Sequence, residues 1–544
     1  MSEPVVAAAE GGLSKNALKK AQKEKEKAEK KAAAKKAEQA SRATTQVAFQ
    51  EDTAKDNYGV PPSSAEGPAI TKLQQINAEA VGKEVTVVAR VHNSRSQSAK
   101  LAFLMLRQQG ETIQAVVAAA GDSVSRQMVK WSIGVHINSV VQVSGIVNKP
   151  HPPVASATLS DVELHVTKIY MVAEAAEQIP IQVKDLERPN ERPDEETKEA
   201  AGEVPIVSLA TRLDNRPIDL QTKCNQAILS ISHGVEILFQ EYLSRHGFRS
   251  VHTPKLLGAA TEGGASVFEI PNYFGKQCFL AQSPQFHKQM LICADAERVF
   301  EIGPVFRAEH SNSHRHLTEF TGLDFEMVFD HHYHEVLKLA EDLIINMVKG
   351  LLEQYKSEIA IVHEFFPKAG DFRIPADGKA LRLKYLEGVQ ILKDAGVDTS
   401  EQESFKTDLT TAQEKRLGEL IREKYNTDFY VLDEFPMSVR PFYTKACPHD
   451  KNLSNSYDFF MRGEEIMSGA QRINDAEELV AAMKAKGTDP TAEGFQDYIN
   501  AFKQGCRPHA GGGLGLNRIV QFFLGLPNIR QATAFPRDPQ RLRP

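Results

Sequence analysis

The sequence predicts an α+β fold in which a small all-β barrel precedes a larger domain of antiparallel strands flanked by helices. Three observations carry this reading. Between Glu84 and Val166, five short segments rich in β-branched residues are separated by turn residues. From Asn225 the apolar positions Ile228, Ile231, Val235, Leu238 and Tyr242 step by 3, 4, 3 and 4, the spacing of one helix face. Gly303 to Glu326 then reads as a strand, a polar loop and a returning strand. Within it Arg307 and Glu309 are two apart, and Thr318, Phe320, Gly322, Asp324 and Glu326 recur with period two, so each set shares a face of the pleat.

Taken in order, residues 1–67 form a lysine-rich N-terminal extension. From Ser14 to Gln39 it holds ten lysines, among them Lys19, Lys20 and Lys23, against four glutamates. These residues favour helix and Ser14 can cap it, but no apolar stripe packs it on a core. A net-positive arm on an acidic body suits a nucleic-acid backbone. A linker rich in Pro, Ser and Gly ends near Pro68. The expected strands are Glu84–Val91, Leu101–Arg107, Thr112–Ala118, Ser139–Val147 and Ala157–Val166. Five strands within residues 68–175 fit a Greek-key barrel of the OB type, a fold that binds oligonucleotides.

Residues 176–205 read as a hinge, because Glu187 to Glu203 is charged and contains Pro189 and Pro193. The larger domain spans 206–544. Its first helix stops at Gly247, and Pro254 ends the short strand after it. Asp330 to Glu335 (DHHYHE) is a polar helix start, since it lacks metal-ligand spacing. A mixed insertion near 367–426 shows helix patterns and no chemistry.

The composition is that of an ordinary water-soluble chain. Of 544 residues, 41% are apolar and 25% charged, with a net charge of −6. Charges interrupt every long apolar run and the N-terminus lacks a basic, then apolar, leader, so a cytoplasmic protein without a membrane span is expected. The five cysteines are too scattered for metal spacing or a disulfide framework and read as reduced thiols.

The segment GPVFRAEHSNSHRHLTEFTGLDFE (303–326) resembles motif 2 of the class II aminoacyl-tRNA synthetases, and HRHLTEFTGLD resembles the aspartyl enzymes of eukaryotic cytosol and archaea. The other motifs follow in family order: Asn225 to Pro254 is similar to motif 1, Gly511 to Val520 to motif 3, with LAQSPQFHKQ and YDFFMRGEEIMSGAQRI between them. The resemblance runs from about Ser14 to the C-terminus and implies an antiparallel class II sheet, ATP and L-aspartate as substrates, Mg2+ with the ATP, tRNA(Asp) as acceptor, and a homodimer meeting at motif 1 and Pro254. It leaves membership of a multi-synthetase complex open.

The resemblance also implies roles. Arg307 and Arg518 are catalytic residues that clamp the α- and γ-phosphates, Phe320 stacks on adenine, and Glu309 and His316 complete the ATP site. Glu465 and Ser468, with Asp458 nearby, match the metal-binding positions. Lys288 and Arg472 fill the two cationic positions for the aspartate side chain, while Asp324, Gln285 and Glu262 accept from its ammonium and Ser468 completes the amino-acid site. Arg95, Phe103, Gln114 and Glu163 match anticodon-reading positions, and Ser311 and Ser313 lie toward the tRNA 3′ end. The family usually has Glu where this chain has Asn517. Strict alternation puts Glu465 on the face opposite Ser468 and Arg472, so the metal assignment requires a bulge, expected at Gly469. An asparaginyl enzyme, an aspartyl enzyme serving both tRNAs, and a catalytically dead tRNA-binding paralogue remain as alternatives. Lys288 argues against the first, and the joint presence of Arg307, Asp324, Glu465 and Arg518 argues against the last.

Overall fold

The computed structural model describes residues 52–62, 66–189, 206–260, 267–375 and 377–544. Lys19, Lys20, Lys23, Glu262 and most of the hinge lie outside the described residues.

The barrel strands are β1 (Glu84–Ser98), β2 (Leu101–Gln108), β3 (Glu111–Ala118), β4 (Val140–Asn148) and β5 (Glu163–Ala173). They close because β5 pairs in parallel with β3 and antiparallel with β4, while β1 pairs with both β2 and β4. Closure leaves no open edge for another chain to extend. Val87, Ala89, Leu104, Leu106, Ile113 and Val143 alternate inward to form its core. Two strands differ from expectation. Register shifts after Val91 and Ser96 carry β1 well past its expected end at Val91. The last strand begins at Glu163 instead of Ala157, because Thr158 bonds to the start of β3, with Thr112 N donating to its Oγ1 at 2.8 Å. Helix α1 (Arg126–Gly134), which the sequence reading did not contain, is capped by Ser125 and buries Met128 and Val129 against the barrel core.

The second domain is built on an eight-stranded sheet. Its strands are β6 (Arg249–Ser250), β7 (Arg298–Phe306), β8 (Glu319–Val328), β9 (Leu381–Lys384), β10 (Phe429–Asp433), β11 (Ser456–Met461), β12 (Glu464–Gln471) and β13 (His509–Gly515), in the order β9-β10-β11-β12-β13-β8-β7-β6. Only the two edge pairings are parallel; the six strands between them run antiparallel.

The helices used below are α2 (Lys223–Arg245), α3 (Gln285–Cys293), α4 (His334–Gln354), α5 (Lys356–Phe365), α6 (Tyr385–Asp394), α7 (Thr411–Tyr425), α8 (Ala476–Ala485), α9 (Gln496–Lys503) and α10 (Leu516–Leu524). Ile228, Ile231, Val235 and Leu238 of α2 are buried in one core with α4, α5, α10 and the sheet. Thr222 caps α2, and Gly247 follows its end at φ +79°, a conformation open to glycine at little cost. The insertion helices α6 and α7 pack Tyr385, Leu417 and Ile421 onto the sheet edge at Tyr430, Leu432 and Phe460. Arg107 links the two domains, donating to the carbonyl oxygen and Oε1 of Gln221 at 2.9 and 2.8 Å, just before α2.

Candidate active site

A cavity of about 460 Å³ opens on the face of β8, β12 and β13. The fold brings Arg307, Glu309, His316, Phe320, Asp324, Gln285, Glu465, Ser468, Arg472 and Arg518 to its walls, from four separated stretches of sequence, around 285, 307–324, 465–472 and 518.

At one end are the groups expected at the nucleotide. Arg307 and Glu309 do not lie on β7, as the alternation suggested; the strand ends at Phe306, and Arg307 N donates to Thr318 O at 2.9 Å as the chain leaves the sheet. Their side chains still meet, with Nη1 of Arg307 3.7 Å from Glu309 Oε1 and the guanidinium 5.6 Å from the Phe320 ring centre. His316 Nδ1 lies 2.6 Å from Ser313 Oγ and 3.1 Å from Ser311 Oγ, so those two serines hold the imidazole. Burial, then the charge of Arg518, keeps His316 below its ordinary pKa and therefore neutral.

The glycines of GGGLG lie within β13, the strand that leads into α10. A Cβ on Gly511 would strike Phe325 O, one on Gly512 the Met467 side chain, and one on Gly513 would stand 2.8 Å from Asp324 Oδ1. Glycine is required there so that β13 can pass close to β8 and leave room for the Asp324 carboxylate. Helix α10 starts at Leu516 and projects Arg518 from its first turn, where Nη1 donates to Glu465 O at 3.1 Å. Asn517 donates to Thr533 Oγ1 at 2.9 Å and accepts from Thr321 N at 3.3 Å, joining α10 to β8 and the C-terminal segment.

The other end is a closed charge network. Arg472 donates to Glu326 Oε1 and Gln285 Oε1, each at 3.0 Å. Lys288 Nζ is 3.1 Å from Asp324 Oδ1 and 3.6 Å from Glu326 Oε2. Lys288 and Glu326 are each 0% exposed, so Lys288 sits beneath the cavity wall and meets the cavity through Asp324. Burial works against ionisation of Glu326, but Arg472 and Lys288 outweigh it and hold the carboxyl below its usual range. Four buried charges of two signs thus neutralise one another, the condition under which burial is tolerated.

Glu465 and Ser468 share the cavity because β12 is bulged. Phe459 pairs with Met467 but Phe460 pairs with Glu465, leaving Ile466 as the extra residue. The bulge exists, at Ile466 rather than Gly469, where a side chain would strike the Tyr457 ring. Asp458 lies behind this wall, its Oδ2 accepting from Arg440 Nη2 at 2.7 Å while its buried Oδ1 has no hydrogen-bond partner. Burial pushes the Asp458 carboxyl up to about 7 against the pull of Arg440. Two carboxyl groups, one of them with an unsatisfied oxygen, and a hydroxyl suit a hard cation that keeps water or phosphate oxygens in its shell. Among the described residues no group of three or more His, Cys, Asp or Glu forms a metal cage.

Several residues were not visible in the sequence. Arg440 lines the cavity, donates to Ser468 Oγ at 3.1 Å and stacks 4.0 Å over Phe435. Arg315 ties the polar loop to β12 and the insertion, donating to Glu464 at 3.0 Å, Glu414 at 2.7 Å and Thr411 at 2.8 Å. The insertion, which shows no obvious chemistry in its sequence, thus supplies ion-pair and hydrogen-bond partners to the cavity wall. Burial, helped by the nearby carboxylates Glu465 and Asp408, pushes the Glu414 carboxyl up to about 7, and Arg315 only partly offsets it. No local pattern marks Arg440 or Glu414; both acquire partners only through the tertiary fold.

On the barrel, Arg95, Phe103, Gln114 and Glu163 form one outward strip across β1, β2, β3 and β5. Arg95 pairs with Phe103 in register and its guanidinium lies 5.0 Å from the ring centre. Gln114 pairs with Glu163 and donates to it at 2.9 Å. Phe103 is partly exposed while Ala102 and Leu104 beside it are buried, so it faces outward and not into the core. On the second domain, Pro254 is exposed.

Residues 208–539 match the family described as "tRNA synthetases class II (D, K and N)", and residues 85–172 match "OB-fold nucleic acid binding domain". The chain is 47% identical over 499 residues to human cytoplasmic aspartate–tRNA ligase, covering 91% of this chain and 96% of that protein. The solved aspartyl-tRNA synthetase of Entamoeba histolytica superposes with a TM-score of 0.79 at 39% identity, over 92% of this chain and 98% of its own. An asparaginyl-tRNA synthetase of Pyrococcus horikoshii, solved with asparaginyl-adenylate, superposes with a TM-score of 0.72 at 29% identity, over 87% and 99%. With a family match across most of the second domain and a relative of this identity along nearly the whole length, the chain belongs to the class II tRNA synthetases of the D, K and N group.

Proposed function

We propose that this chain is a cytoplasmic aspartate–tRNA ligase, which uses ATP to activate L-aspartate and transfers the aspartyl group to the 3′ end of tRNA(Asp). An α-carboxylate oxygen of aspartate attacks the α-phosphorus of ATP and pyrophosphate leaves. The terminal ribose hydroxyl of the tRNA then attacks the aspartyl carbonyl carbon and AMP leaves. Neither step needs a protein nucleophile, so the residues act by holding the reactants in line and stabilising charge.

The observation that carries the proposal is the joining, in one cavity, of Arg307, Phe320 and Arg518 with the Lys288, Arg472, Asp324 and Glu326 network. The first group suits a nucleotide: guanidinium groups for phosphates and an aromatic plate for a base. The second offers both signs to an amino acid. Asp324 and Gln285 accept from its ammonium, and the cationic side, with Arg472 on the cavity wall and Lys288 behind Asp324, attracts a side-chain carboxylate. Arg and Lys only donate hydrogen bonds, so an amide side chain would turn its own N–H donors toward donors and bind less well. This favours aspartate over asparagine.

Mg2+ would be held by Glu465 and Ser468, with Asp458 behind them, and when bound would supply charge neutralisation at the ATP phosphates. The strip Arg95, Phe103, Gln114 and Glu163 would read anticodon bases splayed onto an aromatic, and Ser311 and Ser313 stand near where the tRNA 3′ end would enter. Motif 1, α2 with Pro254, would form the homodimer contact.

Charging of tRNA(Asp) and tRNA(Asn) transcripts with labelled aspartate and labelled asparagine tests the reading. Aspartate should enter tRNA(Asp) in an ATP-dependent, base-labile linkage. Label from asparagine in either tRNA would favour the asparaginyl alternative, and aspartate in both would favour the enzyme serving two tRNAs.

A further inference from the structure

Behind the amino-acid end of the cavity runs a buried chain of polar side chains from three elements: Gln289 of α3, Tyr498 of α9 and His509 at the start of β13. All three are 2% exposed or less, and none of them lines the cavity. Tyr498 donates to Gln289 Oε1 at 2.9 Å, Gln289 Nε2 lies 3.2 Å from His509 Nε2, and His509 Nδ1 lies 2.8 Å from Arg507 O. The last contact sets the direction of the others. A carbonyl oxygen only accepts, so Nδ1 carries the proton; in the neutral ring Nε2 is then an acceptor and meets an amide N–H of Gln289. Gln289 Oε1 is left for the Tyr498 hydroxyl, and burial holds that phenol well above its ordinary pKa, so it stays a donor. An imidazolium would bring two donors together at Nε2. Burial, against the pull of Glu326, keeps the ring below its ordinary pKa and neutral. A buried polar chain in which each donor meets an acceptor fixes a single arrangement of the elements it joins.

The chain is joined to both cations of the amino-acid site. Gln289 follows Lys288 on α3 and lies one turn beyond Gln285. His509 O accepts from Arg472 N at 3.0 Å, and Arg472 Nη2 returns to α3 by donating to Gln285 Oε1 at 3.0 Å. Glu326 stands between the two cations, bonded to Arg472 and 3.6 Å from Lys288 Nζ.

We propose that His509, Gln289 and Tyr498 are positioning residues for aspartate: the Nδ1–H form of His509 ties α3, which carries Lys288 and Gln285, to Arg472 at the end of β12, and so sets the spacing of the two cations around Glu326. The three residues act through Lys288 and Arg472. Loosening the chain therefore weakens aspartate binding and leaves the nucleotide end, with Arg307 and Arg518, as it is. This consequence rests on the aspartate ligase reading, whereas the tautomer and the direction of each bond do not.

The test compares the full chain with Gln289→Met, Tyr498→Phe, His509→Leu and His509→Gln in pyrophosphate exchange, varying aspartate and ATP in turn. Exchange by the unaltered chain is the control for the ligase reading: its absence there would sink that reading and leave the chain of bonds to be judged by the spectra below. Gln289→Met, Tyr498→Phe and His509→Leu should each raise the KM for aspartate by roughly 2- to 10-fold, the scale of one net hydrogen bond, with the KM for ATP unchanged. Tyr498→Phe keeps the ring that stacks on Phe286 at 4.1 Å, so it removes the hydroxyl alone from a folded protein. His509→Gln, whose amide oxygen can stand where Nε2 stands, should recover most of the loss seen in His509→Leu. An unchanged aspartate KM in Tyr498→Phe and Gln289→Met, an equal rise for ATP, or no difference between His509→Gln and His509→Leu would overturn the positioning role. Long-range proton–nitrogen NMR spectra of the imidazoles, with the His509 ring assigned by its loss in His509→Gln, should show the Nδ1–H tautomer at neutral pH. An Nε2–H tautomer or an imidazolium would overturn the bond directions.

Discussion

The cavity and the outer strip of the barrel use similar residue types in opposite ways. In the cavity, Lys288, Arg472 and Glu326 are buried and each charge is answered by another within 3.6 Å. On the barrel, Arg95 lies over Phe103 and Gln114 donates to Glu163 at a partly exposed surface. A buried network of this kind is part of the fold, because removing one member leaves an uncompensated charge in low dielectric. An exposed pair contributes little to stability and can be lost without unfolding. On the proposed reading, substrate selection and folding are therefore one system in the cavity and separable on the barrel.

Arg472→Gln should produce the largest effect, because it leaves Lys288 as the one cation facing two buried carboxylates, Asp324 and Glu326. Breaking a buried pair costs about 3 to 5 kcal/mol, so aspartate-dependent pyrophosphate exchange should fall by roughly 10² to 10⁴ and the melting temperature should fall with it. Loss of exchange at an unchanged melting temperature would break the claim that the two are joined.

Arg307→Gln and Arg518→Gln divide the cavity itself. Their side chains are 41% and 22% exposed and face the open end. Each should lower adenylate formation by about 10², the scale for one oriented charge-stabilising donor, with little change in thermal unfolding. Near-normal exchange in a folded variant would remove that residue from the phosphate site.

Phe103→Ala sharpens the other side of the comparison. It should lower cognate tRNA charging by roughly 1 to 3 kcal/mol, the range for one base stacked on an aromatic, and leave pyrophosphate exchange and unfolding unaltered. A loss of stability on the scale of a core truncation would return Phe103 to the interior.

The smallest expected effect is a pH slope. Burial raises the Glu414 carboxyl from 4.5 to about 7, so in this window the unfolded chain releases a proton that the folded chain retains. Its contribution to stability is present below pH 4.5 and is lost as the pH rises toward 7. Glu414→Gln should remove that component, so the difference in unfolding free energy between variant and parent should shift in favour of the variant as pH rises. Parallel curves would mean that the carboxyl titrates as it does in water.

How much of this was legible in the sequence follows from where each signal resides. The barrel strands and α2 announce themselves, since a pattern of period 2 or 3.6 survives in one dimension. Helix α1 does not, because it shows one buried stripe of Met128, Val129 and Ser132 with no apolar run. The period-two face of β8 placed Asp324 and Glu326 together, but not their burial, which depends on Arg472 from 146 residues away. The need for a bulge in β12 was readable from Glu465 and Ser468; its place at Ile466 was not, because it is set by the register with the neighbouring strand β11. The glycines of β13 carry no strand pattern of their own, and the closeness of β8 explains why they stand in a strand. The insertion showed no motif, since Glu414 gains its partner across 99 residues.

The most direct test of the central claim is pyrophosphate exchange by the unaltered full chain, without tRNA, on aspartate and asparagine in parallel. The account predicts ATP-dependent exchange with aspartate and, with asparagine, a rate lower by about 10² or more, the scale set by one unanswered buried charge or donor. Comparable exchange on both amino acids, or exchange on asparagine alone, would contradict it.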